Sequence, residues 1–439
     1  MRGNLGRRQV LAGAAALAGL GSGAGAVANR RPPNIIIVLA DDLGYGDLAT
    51  YGGRFIRTPN LDRLARQGVK LTDFYASANI CTPSRAGLQT GRYPIRTGLA
   101  YEVIQAKDTN GLPLSEVTIA EALKPDYATA LIGKWHLGHV APYWPPTVQG
   151  YDLFFGLPYS HDMKPLGLFT AQPGVELTRE DVDFPHLTER FFDRTFKFIA
   201  DNRERPFFLT LALTAPHLAL HPHPDFAGHS AAAAYGDVVE EVDVQVGRLL
   251  AELKRLSLDK DTIVFVTSDN GPWFEGSSGG LRDRKGGEGW DGGYRVPFLA
   301  WGPGRIPAGR VSHALGMNID LMPTVMAMTG HPLPATEIDG LDLTGVLTKG
   351  APSPHDELIL FNNEKVAAIR TDRWKYVGRS YYRSFETALD RLNTEHLFDV
   401  RQDPSEAYSL ASLHPDVLAD MKARFERAKA KFEPMATHK

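Results

Sequence analysis

The chain has 439 residues, 43% hydrophobic and 23% charged, which excludes a disordered protein and leaves room for two or three domains. With 48 basic against 51 acidic side chains the formal net charge is −3, and no basic run stands out, so a nucleic-acid partner is not expected. One cysteine, Cys81, cannot form an internal disulfide, and no segment after the N-terminus has the uninterrupted apolar run of a membrane span.

The first 28 residues read as a targeting segment. Arg7-Arg8 precedes Gln9-Val10-Leu11 and an Ala/Gly/Leu-rich stretch that closes on the small triplet Ala26-Val27-Ala28. This resembles a Tat-type export signal, and implies passage through the Tat machinery to the periplasm or the medium. Its removal takes away three arginines and no acids, so −3 becomes −6 in the mature chain. Any bound anion must then be held locally.

Downstream, four apolar runs of strand length end in polar clusters. Asn34–Ala40 leads into Asp41-Asp42, and Ala128–Gly133 into Lys134-Trp135-His136. Phe207–Leu213 leads to His217, and Thr262–Ser268 into Asp269-Asn270. Runs that are apolar on both faces suit central strands of a sheet covered on both sides. Helical patterns lie between them. One opens at Pro59 with Thr58 as N-cap, and another runs from about Ala233 to Leu256 on Val238, Val242, Val246, Leu249, Leu250 and Leu253. Strands alternating with helices predict an α/β fold with a large, mostly parallel sheet, and such sheets bind ligands at the carboxyl ends of their strands. All four polar clusters fall there.

Residues 271–293 are Gly-rich with interspersed charges and read as a long loop beside the site. From about residue 336 the segments shorten, including Val366–Arg370 and Trp374–Val377, and a helix is expected from about Pro415 to Phe432. The expected division is therefore a signal segment at 1–28, a catalytic domain at 29–335, and a smaller C-terminal α+β domain at 336–439 with an antiparallel sheet.

The segment Cys81-Thr82-Pro83-Ser84-Arg85 is the most informative. Pro83 fits the first turn of a helix continuing through Leu88, which places Cys81 just before a helix N-terminus. Free N–H groups and the helix dipole favour an anion there, and Arg85 adds charge one turn on.

Followed by Leu88-Gln89-Thr90-Gly91-Arg92, this segment resembles the type I sulfatase signature of the alkaline phosphatase superfamily. The likeness extends through residues 41–47, 133–138, 158–162 and 268–271, and among relatives the arylsulfatase A and N-acetylgalactosamine-6-sulfatase branch looks nearest. The resemblance implies that a separate maturation enzyme converts Cys81 to Cα-formylglycine. It implies one Ca²⁺ per chain on Asp41, Asp42, Asp269 and Asn270, with the residue-81 side chain as a further ligand; the all-oxygen character of that set suits a hard cation.

It also implies the roles. Hydrated formylglycine at position 81 attacks sulfur with Asp269 as base, Lys134 and Lys285 hold the sulfuryl oxygens, and Arg85 orients the hydrate. His217 protonates the leaving oxygen, and His136 takes a proton as sulfate departs. Ser160 matches a position near the sulfate. Here Leu218-Ala219 follows His217 where the family has His-x-Pro, and His221 or His223 could take the acid role instead. The expected activity is hydrolysis of a sulfate monoester, with a small sulfated saccharide as the substrate. The alternatives are a formylglycine-dependent phosphonate monoester or phosphodiester hydrolase and a silent carbohydrate-binding relative. Tyr101, Tyr143, Trp144, Trp273 and Trp290 are candidates to stack on a sugar.

Overall fold

The central strand Asn34–Ala40 sends alternate side chains into two separate cores. Ile36 and Val38 pack on one face, where the helices Leu187–Asp201 and Ala233–Arg255 lie. Ile35, Ile37 and Leu39 pack on the other, against the helices Cys81–Thr90 and Leu321–Thr329. A strand buried on both faces has no polar face to show, which is why its sequence is continuously apolar. Each large side chain so buried contributes roughly 1.5–3 kcal/mol.

This computed structural model describes residues 31–382, 385–388 and 395–438; the expected export signal at 1–28 lies outside them. Among the described residues ten strands form the main sheet. Its spatial order is Arg310–Ser312, Val69–Leu71, Phe298–Trp301, Thr262–Ser268, Asn34–Ala40, Phe207–Ala212, Ala128–Lys134, Leu153–Leu157, Leu168–Ala171 and Thr178–Glu180. The five strands from Thr262–Ser268 to Leu153–Leu157 run parallel, and antiparallel pairs flank them. The mixed, mostly parallel sheet expected from the sequence is the one observed.

Register decides where the chemistry sits. Ala40 pairs with Ser268, so Asp41 and Asp269 leave the sheet side by side. Gly133 pairs with Ala212, so Lys134 leaves two strands away at the same edge. Gly133 has φ +114°, and a Cβ there would stand 1.8 Å from the Ala212 carbonyl oxygen. Only glycine lets these two strands approach so closely just before Lys134.

Two local expectations need correction. Thr58 does not cap its helix: its Oγ1 accepts the Ala49 N–H at 3.0 Å. The free N–H groups of Asn60 and Leu61 go instead to the Asp243 carboxylate, at 3.0 and 2.8 Å, from the long helix Ala233–Arg255. The helix dipole still receives its negative charge, but from a residue far away in the chain. The 271–293 loop, in turn, ends in a short helix, Asp291–Tyr294.

A separate four-stranded antiparallel sheet follows, formed by Leu358–Asn362, Lys365–Arg370, Trp374–Val377 and Leu397–Asp399. The helix Pro415–Phe432 covers it with Met421, Phe425, Ala428 and Phe432. A buried polar tie joins this sheet to the short helix. Lys375 Nζ lies 2.5 Å from Asp291 Oδ1 and 2.7 Å from Glu406 Oε1, with all three side chains wholly inaccessible to solvent. The Tyr75 hydroxyl donates to Asp291 Oδ2 at 2.9 Å. Removing the only cation of this group's shortest ion pairs leaves two buried carboxylates, so Lys375→Met is expected to cost about 3–5 kcal/mol in urea unfolding. A variant within 1 kcal/mol of the parent would show that the tie contributes little.

Candidate active site

Cys81 is the first residue of the helix Cys81–Thr90, one position further in than the sequence suggested. Its N-cap, Ile80, is extended and makes no side-chain cap, and all ten helix residues are buried. The first-turn N–H groups therefore point, with the positive end of the dipole, at the ends of the central strands. Asp42 and His136 both adopt positive φ, +65° and +61°. Such conformations cost about 1–3 kcal/mol for non-glycine residues and are held where the surroundings fix them.

Around the thiol stand three carboxylates and three cations. The Cys81 thiol donates to Asp41 Oδ1 at 3.5 Å, and Lys134 Nζ donates to Asp41 Oδ2 at 2.7 Å. Lys285 Nζ donates to Asp42 Oδ2 at 2.7 Å. Arg85 places Nε and Nη2 on Asp269 Oδ2 at 2.9 and 2.8 Å, and gives Nη1 to the Lys134 carbonyl at 3.0 Å. Asn270 Nδ2 donates to Asp42 Oδ1 at 2.7 Å. His217 Nε2 lies 3.7 Å from Asp42 Oδ2 and 3.5 Å from Ser160 Oγ. His136 gives Nε2–H to the Ile104 carbonyl at 3.0 Å, leaving Nδ1 buried without a partner.

These contacts set the protonation states. Burial would raise the Asp41 carboxyl, but Lys134, His217, Arg85 and Lys285 together hold it well below the usual carboxylate range. Burial pushes Asp269 up to about 6, Arg85 opposing and Asp41 adding. Burial and the nearby Lys134 and Arg85 charges keep His136 neutral, so its free Nδ1 can accept a proton. The Cys81 thiol is pushed up to about 12 by burial, against the pull of Lys134 and Lys285. As a plain cysteine it is protonated at neutral pH and a poor nucleophile.

The residues fit a hard divalent cation. Asn270 Oδ1 is buried and has no hydrogen-bond partner. Ligand atoms of Asp41, Cys81 and Asp269 lie within 4.8 Å of one another, as do those of Asp42, Cys81 and His217. Carboxylate and amide oxygens dominate this set, as a Mg²⁺ or Ca²⁺ site requires.

The structure thus brings Asp41, Asp42, Cys81, Arg85, Lys134, His136, Ser160, His217, Asp269, Asn270 and Lys285 together. It does not bring in His223, which lies with His186 and Glu189, nor does His221 reach the carboxylates: its ring stacks on Phe184 with centroids 4.6 Å apart. Trp290 is not a sugar platform. It is buried against Phe398, with the Arg282 guanidinium 3.7 Å from its ring centroid. Trp144 packs edge-on against Phe154 and Phe169.

Sequence reasoning missed two supports. Asn318 Nδ2 donates to Ser84 Oγ at 2.8 Å and its Oδ1 accepts the Ser77 N–H at 3.0 Å, bracing the Cys81 helix from a distant segment. His161 gives Nε2–H to the Ala219 carbonyl at 2.7 Å and lies 5.7 Å, ring to ring, from His217. Asn318 carried no local signal, whereas His161 sat inside a quoted motif.

Comparison with known proteins agrees with this geometry. The family model described as Sulfatase matches residues 33–331. Human arylsulfatase A is 37% identical over 465 residues, covering 94% of this chain and 91% of that protein. The dog N-acetylgalactosamine-6-sulfatase is 34% identical over 444 residues, covering 89% of this chain and 84% of its own. Among solved structures, the PsFucS1 sulfatase from Pseudoalteromonas sp. superposes with a TM-score of 0.83 at 30% identity, covering 91% and 90% of the two chains.

A thiol held protonated has a measurable signature. In protein whose residue 81 is still cysteine, a disulfide reagent at pH 8 is expected to label the native chain at least about 100-fold more slowly than a free thiol, and one equivalent after unfolding. Complete labelling of the native chain within minutes would contradict the assigned protonation state.

Proposed function

Because the chain belongs to the sulfatase family and is a sulfuric ester hydrolase, we propose that it cleaves a sulfate monoester of a saccharide with residue 81 converted to Cα-formylglycine and one Ca²⁺ bound. The observation that carries this reading is the convergence of Asp41, Asp42 and Asp269, with Asn270 bonded to Asp42, on a buried Cys81 that is too weakly acidic to act as it stands. Asp41, Asp42, Asp269, Asn270 and the residue-81 side chain would hold the cation. In place, the hydrated formylglycine supplies a hydroxyl nucleophile and the cation supplies positive charge toward the sulfuryl oxygens.

The chain's own residues do the rest. Lys134 and Lys285, whose ammonium groups rest on Asp41 and Asp42, bind sulfuryl oxygens and offset the charge that develops on them. Arg85 fixes Asp269, which accepts a proton as the base, and orients the side chain at position 81. His217 delivers a proton to the leaving oxygen, positioned by Ser160 and Asp42. His136 accepts a proton at Nδ1 in the step that frees sulfate.

A saccharide is supported by the similarity to an N-acetylgalactosamine-6-sulfatase. The same reading takes residues 29–335 as the catalytic part and 336–439 as the smaller one. It places the protein in the periplasm or medium after Tat-type export, with a formylglycine-generating enzyme as its maturation partner. No helix among the described residues is long and apolar enough to cross a membrane.

Turnover of aryl sulfate, phosphate and phosphonate esters by the mature protein tests the reaction class. Sulfate should be preferred, and a phosphonate preference would favour the phosphorus-ester reading. His217→Ala should lower kcat on a sugar sulfate by about 100-fold or more, and by much less on a nitrophenyl sulfate, whose leaving group needs little protonation. An equal loss on both substrates would remove His217 from the acid role.

A further inference from the structure

We propose that His186, Glu189 and His223 form a second cation site, apart from the Cys81 cluster, which takes a borderline divalent transition ion, zinc foremost. Their ligand atoms lie within 4.8 Å of one another. The two imidazole rings are tilted by 40° with centroids 4.7 Å apart, and His223 Nε2 stands 3.6 Å from Glu189 Oε2. Ligand atoms around a tetrahedral zinc are roughly 3.3 Å apart, given bond lengths near 2 Å. The His223–Glu189 pair is already near that spacing, and Glu189, 39% exposed, can swing to adjust. Two imidazoles and one carboxylate select zinc-like ions over the hard cation that the oxygen-rich Cys81 cluster suits.

Independent observations point to a missing positive charge. His186 Nδ1 is buried and has no hydrogen-bond partner. Behind the triad, Glu241 is 1% exposed; its Oε2 accepts the His223 N–H at 3.2 Å, while its Oε1 has no partner. A cation on Glu189 and the two histidines would give the His186 ring a partner and put positive charge beside the buried Glu241 carboxylate.

An outer carboxylate is within reach as well. His223 Nδ1 accepts the Asp225 N–H at 3.2 Å and lies 3.8 Å from Asp225 Oδ2. Binding through Nε2 needs the ring proton on Nδ1, so the bond from the Asp225 N–H must give way to one from Nδ1–H to the Asp225 carboxylate 3.8 Å away, the arrangement ligating histidines commonly adopt. His186 immediately precedes the helix Leu187–Asp201, and His223 lies on the segment that leaves the strand Phe207–Ala212 and carries His217. The ion thus clamps the His217 segment to that helix.

Full-length protein, stripped of metal and then saturated with Ca²⁺, can be titrated with Co²⁺ and competed with Zn²⁺. The expected result is one equivalent of Co²⁺ with the intense visible absorption of a four-coordinate site, displaced by Zn²⁺ and unchanged in Cys81→Ser. His223→Ala and the more exposed Glu189→Gln should each weaken binding by about 100-fold or more. Absence of the four-coordinate band in the wild type would overturn the proposal even if the histidine variants do not fold. So would a band lost in Cys81→Ser but kept in Glu189→Gln.

Discussion

Three carboxylates, Asp41, Asp42 and Asp269, lie at the ends of two adjacent parallel strands with no more than 2% of their surface exposed. A buried charge left alone costs several kcal/mol, so the fold has to deliver cations to that spot. It does so from three separate elements: Arg85 from a buried helix, Lys134 from a strand end, and Lys285 from the long loop after Asn270. Much of the architecture follows from this need. Gly133 lets the Lys134 strand approach Ala212, Asn318 braces the arginine helix, and the buried Lys375 tie joins the C-terminal sheet to the short helix that ends the lysine loop.

The balance of charge also explains what the site can do. Three acids against three fixed cations leave the cluster near neutrality, while Asn270 Oδ1 remains unpartnered. A bound divalent cation therefore makes the pocket positive and frees two ammonium groups for an anion, within a chain whose net charge is −3. His136, neutral and with one ring nitrogen committed to a carbonyl, faces the same cluster with its other nitrogen available.

The central strands were legible because burial on both faces forces an unbroken apolar run, and the polar residue that ends each run marks the sheet edge. The helices Ala233–Arg255 and Pro415–Phe432 were legible from their spacing. The strand Thr178–Glu180 was not: all three residues are exposed, and only pairing with Leu168–Ala171 makes them a strand. Thr58 illustrates the limit of local rules, since a distant aspartate does the capping. Trp290 shows another, because no pattern in sequence separates an aromatic that meets a sugar from one that lies under an arginine. The sequence favoured His217 but could not dismiss His221 and His223, and only the path of the loop sends the three to different neighbours. The family resemblance named the residues that the structure brings together; tertiary contacts gave their hydrogen bonds.

The account rests on residue 81 not remaining a cysteine, since its thiol is buried and protonated among three carboxylates. The direct test is the mass of the tryptic peptide Leu71–Arg85 from protein exported by its native host, read beside its specific activity. The account predicts a peptide that has lost its sulfur and carries an aldehyde or its hydrate, in proportion to activity. An intact thiol in fully active protein would contradict it.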